Sequence, residues 1–155
     1  MESIGKKSLS FILRIITDFC IVVNVVVLIF LPWLTTYIVL ILSQSFIEYE
    51  PYNFILVFLY ICGVFSLGIL IQGHLILRTL EKNQPFDTKN SERFFRLGLL
   101  SLFIATAFFI KIFMFNTLLT ITGTGLFALA SLIAFILSDV FKKAAKIWEE
   151  HQLTV

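Results

Sequence analysis

Asp18, His74, Arg78 and Asp139 border the apolar runs of this sequence, and they are where it could do chemistry. Asp18 opens the first run and Asp139 closes the fourth. His74 and Arg78 stand four residues apart at the end of the second, a spacing that places both on one face of a helix. Carboxylates, an imidazole and a guanidinium at one depth suit a proton or substrate site at the mouth of a membrane bundle. They equally suit ion pairs that tie helix ends together. The interface is wet and charges there cost little, which favours the structural reading. Asn24 lies deeper, where an amide serves as an interhelical hydrogen bond.

Other chemistries lack their residues. His74 and His151 are far apart, and neither belongs to an HxxxH or CxxC pattern, so a metal centre is not expected. There is no phosphate-binding glycine-rich loop. The "TGTG" run at Thr122–Gly125 lies inside an apolar segment and reads as a small-residue packing patch. Ala130, Ala134 and Ser138, each four apart, extend it into a stripe suited to close helix contact. Cys20 and Cys62 fall at different depths in their runs and read as packing residues rather than a disulfide. No nucleophile–base pair is visible, so the expectation is a protein with no enzymatic activity and no cofactor.

Four elements must position these groups. The chain has 155 residues, 59% of them hydrophobic and only 14% charged. That is too little polar surface for a soluble domain of this length, and the mean hydropathy of +0.97 agrees. Apolar runs near residues 15–42, 54–77, 97–115 and 118–137 are each long enough to cross a bilayer. Backbone groups in lipid must be satisfied within each segment, so the fold class is all-α: four transmembrane helices in an antiparallel bundle. Pro32 is a ready cause of a kink in the first. That first run is too long for the apolar core of a signal peptide and reads as a retained helix. No soluble segment is long enough for its own core, so residues 1–155 form one domain.

Charge orients the bundle. Lys6, Lys7 and Arg14 precede the first span, Arg78, Lys82, Lys89, Arg93 and Arg96 lie between the second and third, and Lys142, Lys143 and Lys146 follow the fourth. The segment Ser43–Asn53 carries Glu48 and Glu50 and no Lys or Arg. All three basic segments fall on one face, which the positive-inside rule makes cytoplasmic, with both termini inside. Lys111 is the exception, expected to snorkel to the outer interface. The expected location is a membrane, crossed several times.

Two segments carry more than topogenic charge. "LEKNQPFDTKNSERFFRLG" and "FILSDVFKKAAKIWEEHQLTV" resemble the signature segments of a bacterial integral-membrane family, domain of unknown function 2975. The matching positions are Leu80, Pro85, Phe86, Asn90, Arg93, Asp139, Val140, Phe141, Glu150, Leu153, Thr154 and Val155. The chain departs at Ala144-Ala145, where a glycine is expected, and at Asp139, where a glutamate is usual. The resemblance brings no agreed activity. It implies, through gene association only, a regulatory role beside a small helix-turn-helix DNA-binding protein.

The tail 139–155 is amphipathic and is expected to continue the fourth helix out of the membrane. It and the loop 78–96 emerge on the same side. We expect one composite interaction surface from Pro85, Phe86, Asn90, Arg93, Arg96, Trp148, Leu153, Thr154 and Val155. Phe86, with Phe94 or Phe95, would bury against Trp148, Leu153 or Val155, and the Val155 carboxylate would pair with Arg93 or Arg96. The function this suggests is a regulatory or scaffold protein that itself contacts lipid and a soluble partner but no nucleic acid. The alternatives are a small transporter, channel or transport accessory, and an immunity-type membrane protein; the oligomeric state stays open. Cysteines placed at Lys7, Thr88 and His151 should label only from the cytoplasmic side, and one at Ser45 only from outside; outside labelling of Thr88 would overturn this topology.

Overall fold

The computed structural model describes residues 2–44, 51–81, 88–115 and 117–153, which form four helices: α1 (Glu2–Gln44), α2 (Tyr52–Glu81), α3 (Thr88–Met114) and α4 (Leu118–Leu153). Each is long and apolar enough to cross a bilayer, and the chain is a multi-pass membrane protein. Pro85, Phe86, Thr154 and Val155 lie outside the described residues, and Leu153 is described only as the last residue of α4.

Local chemistry explains where the helices start and how they persist. At α4 the Thr117 hydroxyl accepts the Thr120 N–H (3.3 Å), while the Thr120 hydroxyl accepts the Thr117 N–H (3.0 Å). This is a capping box with threonine in the place usually held by glutamate or glutamine. At α2 the carbonyl of Pro51, just ahead of the helix, accepts the N–H groups of Phe54 and Ile55. α1 runs unbroken through Pro32. Beside the proline, Thr35 and Thr36 donate their hydroxyls back to the carbonyls of Leu31 and Pro32, and the Tyr52 hydroxyl donates to Pro32 as well. Such return bonds keep polar groups paired where lipid offers no partner.

Helices adjacent in sequence are adjacent in space: α1 packs on α2, α2 on α3 and α3 on α4. Among the described residues, no other pair of helices brings Cα atoms within 8 Å. The bundle is therefore open along the side between α1 and α4.

α3 and α4 fit most closely. Ser91 and Gly98 on α3 face Ser138 and Ser131 on α4; Ala105 and Ala145 continue the two seven-residue series, and all six residues are buried. Ser91 donates to the carbonyl of Ser138 and Ser138 donates to the carbonyl of Ser91, each at 2.8 Å. Ser131 donates to the carbonyl of Gly98 at 2.9 Å. Small residues let backbones approach, and a seven-residue repeat is the period of a left-handed crossing. Ala134 and Ser138 of the expected stripe lie on this seam; Ala130 is only half-buried, because the contact follows the seven-residue period rather than steps of four. In the "TGTG" run, Gly123 packs under the Phe108 ring while Gly125 faces open space.

Phenylalanine fills the rest. Phe58–Phe108 and Phe65–Phe103 pair α2 with α3, and Phe54 pairs with Phe115 just past the end of α3, at 5.0–5.2 Å between ring centres. Phe94–Phe141, Phe95–Phe135 and Phe108–Phe127 pair α3 with α4. Such pairs contribute roughly 0.5–1.5 kcal/mol each beyond the area they bury.

A Cβ at Gly98 would lie 2.8 Å from the Phe135 ring, so Gly98→Val should destabilise the protein in denaturant unfolding in micelles. The expected loss is about 1–3 kcal/mol, the usual cost of overpacking. Gly125→Ala meets nothing within 4 Å and should cause no loss.

Candidate functional site

The antiparallel registers bring the charged groups together at the end of the bundle that carries both termini. On α1, Arg14 and Asp18 are one turn apart and share a face. On α2, His74 and Glu81 are seven apart and do the same. Arg14 Nη1 donates to Glu81 Oε2 at 2.6 Å, and Asp18 Oδ1 lies against His74 Nδ1. The second contact is a close approach rather than an aligned hydrogen bond, since His74 Nδ1 has no hydrogen-bond partner. The Arg14 guanidinium also sits 5.6 Å from the centre of the Phe11 ring. α1 and α2 are thus clasped by two rungs of opposite polarity.

α2 and α3 are joined by a buried knot. Asn90 has no exposed surface. Its Oδ1 accepts from the Thr79 hydroxyl at 2.8 Å and from Arg93 Nη1 at 3.0 Å. Arg93 Nη1 also donates to the Leu75 carbonyl at 2.9 Å. The Thr79 oxygen lies 2.7 Å from the Ile76 carbonyl too, so its one proton serves either acceptor. The Nη1 of this guanidinium is thus occupied by an amide and a helix carbonyl.

Of the four expected ionisable groups, the structure brings together only Asp18 and His74. Arg78 is exposed and pairs with none of the described acidic groups. It precedes the buried Thr79 by one residue, about 100° around the helix from the face that meets α3. Asp139 pairs with Lys143 of its own helix at 2.8 Å, because it follows the seam residue Ser138 by the same angle. Neither ties one helix to another.

Of the expected interaction surface, one member is corrected in the same way. Asn90 is in the core and not available for docking, while Arg93 is half-buried with its Nη1 directed to α2. Phe94 stacks on Phe141, and Phe95 tilts against Phe135. Arg96 is exposed and 3.7 Å from Glu92, and Trp148 is 55% exposed. The proposed contacts of Phe86 and of the Val155 carboxylate fall outside the described residues.

Sequence reasoning passed over Arg14, Thr79, Glu81 and Ser91. Arg14 and Glu81 do flank apolar runs, which is a signal, but opposite charges at two run ends become a pair only once the register of α1 against α2 is known. Lys111 does not simply snorkel: its ammonium lies 4.7 Å from the centre of the Phe58 ring, a cation–π contact.

Deeper in the bundle, Asn24, Leu28 and Leu31 of α1, Gly63 and Ser66 of α2, and Phe127 of α4 help line a mostly apolar cavity of about 280 Å3. Asn24 donates to the Ser66 hydroxyl at 3.5 Å, and its own Oδ1 is buried without a partner. Among the described residues no three metal-ligating side chains gather.

Asn90→Ala should remove acceptors from Thr79 and from the half-buried Arg93, costing about 1–3 kcal/mol. Arg78→Gln, on the exposed face, should change unfolding by less than about 0.5 kcal/mol. Detergent unfolding monitored by circular dichroism separates the two.

A family model described as "Protein of unknown function (DUF2975)" matches residues 22–155. No curated protein and no solved structure matches the chain.

Proposed function

The chain belongs to this family, and from that premise we propose a non-enzymatic regulatory or scaffold protein of the bacterial cytoplasmic membrane that holds a small soluble protein at the end carrying its termini. The observation that carries this reading is the length and dressing of α4. Its 36 residues extend about 54 Å, well past the roughly 30 Å of a hydrocarbon core. The apolar run ends near residue 137, so the last four turns project beyond it. That projection carries Ile147 and Trp148, 58% and 55% exposed, between lysines and Glu149-Glu150. An exposed aromatic–aliphatic pair ringed by charge is the usual composition of an interaction centre.

The rest of that end suits a platform. The Thr79–Asn90–Arg93 knot and the Ser91–Ser138 bonds hold the start of α3 against α2 and α4. The basic flanking segments favour the cytoplasmic side for this face. The partner implied by the family resemblance is a small helix-turn-helix protein, and DNA contact would belong to that partner.

Proton-coupled transport is the second reading, and the Asp18–His74 contact is what favours it. It needs a polar path, and the neighbouring cavity offers little beyond Asn24 and Ser66.

Affinity purification of the full-length protein from native membranes should bring down a soluble partner. The variant Ile147→Ser/Trp148→Ser should lose it while keeping the wild-type helical signal. An identical set of co-purifying proteins from both would sink the reading. Proton flux in liposomes that vanishes in Asp18→Asn would put transport ahead.

A further inference from the structure

A cleft of about 590 Å3 opens between α3 and α4 at the end that carries the termini. Arg96 of α3 and Lys142 of α4 stand on its two sides, Thr88 is on its wall, and Phe95 borders it. Ser91 and Ser138 also line it, but their hydroxyls are spent on each other's helix, so they brace the cleft rather than serve a ligand.

Side-chain direction makes the two cations converge. A helical side chain leans toward the N-terminus of its own helix. α3 and α4 are antiparallel, so Arg96 leans toward the termini-bearing end and Lys142 leans back toward the membrane. The Arg96 contact with Glu92, one turn nearer that end, shows this lean. Glu92 is the cleft's acidic residue, and at 3.7 Å, with both side chains more than half exposed, it leaves most of the guanidinium's donors open. Asp139, the nearest carboxylate to Lys142 in sequence, is held by Lys143 at 2.8 Å. Among the described lining residues, two cations stand against one loosely placed carboxylate, a net positive charge.

The cleft also continues onto apolar surface. Phe95 is 50% exposed, and Leu102, seven residues further along α3 on the same face, is 45% exposed. A ligand that fits has an anionic head level with Arg96 and Lys142 and a hydrocarbon chain along Phe95 and Leu102. We propose that this cleft is a binding site for an anionic phospholipid, its phosphate held between Arg96 and Lys142. A free phosphate has no use for the apolar half, and a zwitterionic lipid brings an ammonium that the two cations repel. The site is independent of any soluble partner.

Native mass spectrometry of the full-length protein in a neutral detergent tests this, with phosphatidylglycerol and phosphatidylcholine of identical chains as probes. Phosphatidylglycerol should be retained in preference. Arg96→Gln/Lys142→Gln should cut its retention about tenfold, as expected for losing charge-assisted contacts. Asp139→Asn/Lys143→Gln/Lys146→Gln, which removes two lysines outside the cleft together with the carboxylate that Lys143 holds, should leave it unchanged. Equal retention of the two lipids, or an equal loss in the cleft variant and in the control variant, would overturn the site in favour of diffuse surface charge. Displacement of the lipid by millimolar inorganic phosphate would assign the cleft to a free anion instead. Should the first double variant not fold, Lys142→Gln alone decides: undiminished phosphatidylglycerol retention overturns the proposal.

Discussion

Ser91 and Ser138 each give a proton to the other's backbone carbonyl, and the register of α3 against α4 follows from that exchange. Between helices in lipid there is no hydrophobic driving force, because the solvent is as apolar as the side chains. Association then rests on close packing and on polar groups that pair across the interface. The serine pair supplies both: small side chains that let two backbones meet, and hydroxyls that bond once they do. One heptad along, Ser131 repeats the device against Gly98. With that spacing set, Phe94, Phe95 and Phe108 fall opposite Phe141, Phe135 and Phe127, and the rings fill what the small residues leave.

The termini-bearing end shows a graded use of polarity. Nearest the core is a neutral amide, Asn90, fully buried and bonded to a hydroxyl and a guanidinium. Partly covered are the Arg14–Glu81 and Asp18–His74 contacts between α1 and α2. Fully outside are the one-turn pairs Arg96–Glu92, Lys143–Asp139 and Lys146–Glu150 along single helices. Desolvation explains the order, since burying a charge costs far more than burying an amide that keeps its hydrogen bonds. The groups that bind helices together are therefore not the ones that remain for a ligand or partner.

The open side between α1 and α4 is the other consequence of sequential packing. Among the described residues α1 meets only α2 by close backbone approach, and its outward residues, such as Phe19, Ile29 and Trp33, are each more than 60% exposed. In water such a face would aggregate; in lipid it is ordinary surface. The small apolar cavity behind it lies where side chains from all four helices converge without backbone contact between α1 and α4.

Helix number, type and approximate extent were legible in the sequence because lipid imposes them: about 20 apolar residues must form a helix to cross, and charge must wait outside. So were the continuation of α4 beyond the bilayer and the value of small residues near Ser138. Which polar residue meets which was not. Asn90 and Arg93 look, in sequence, like members of a charged loop, yet they are the buried centre of the α2–α3 contact. Asp139 looks like a helix lock and serves only its own helix. Arg14 and Glu81 carry no mark of being partners, since 67 residues separate them. A position on a helix is decided by about 100° per residue, and the face that turns inward depends on the rotation and register of its neighbours. The apolar pattern is nearly uniform around these helices, so it holds no record of that rotation; the small-residue seam and the aromatic pairs, which exist only after packing, decided it.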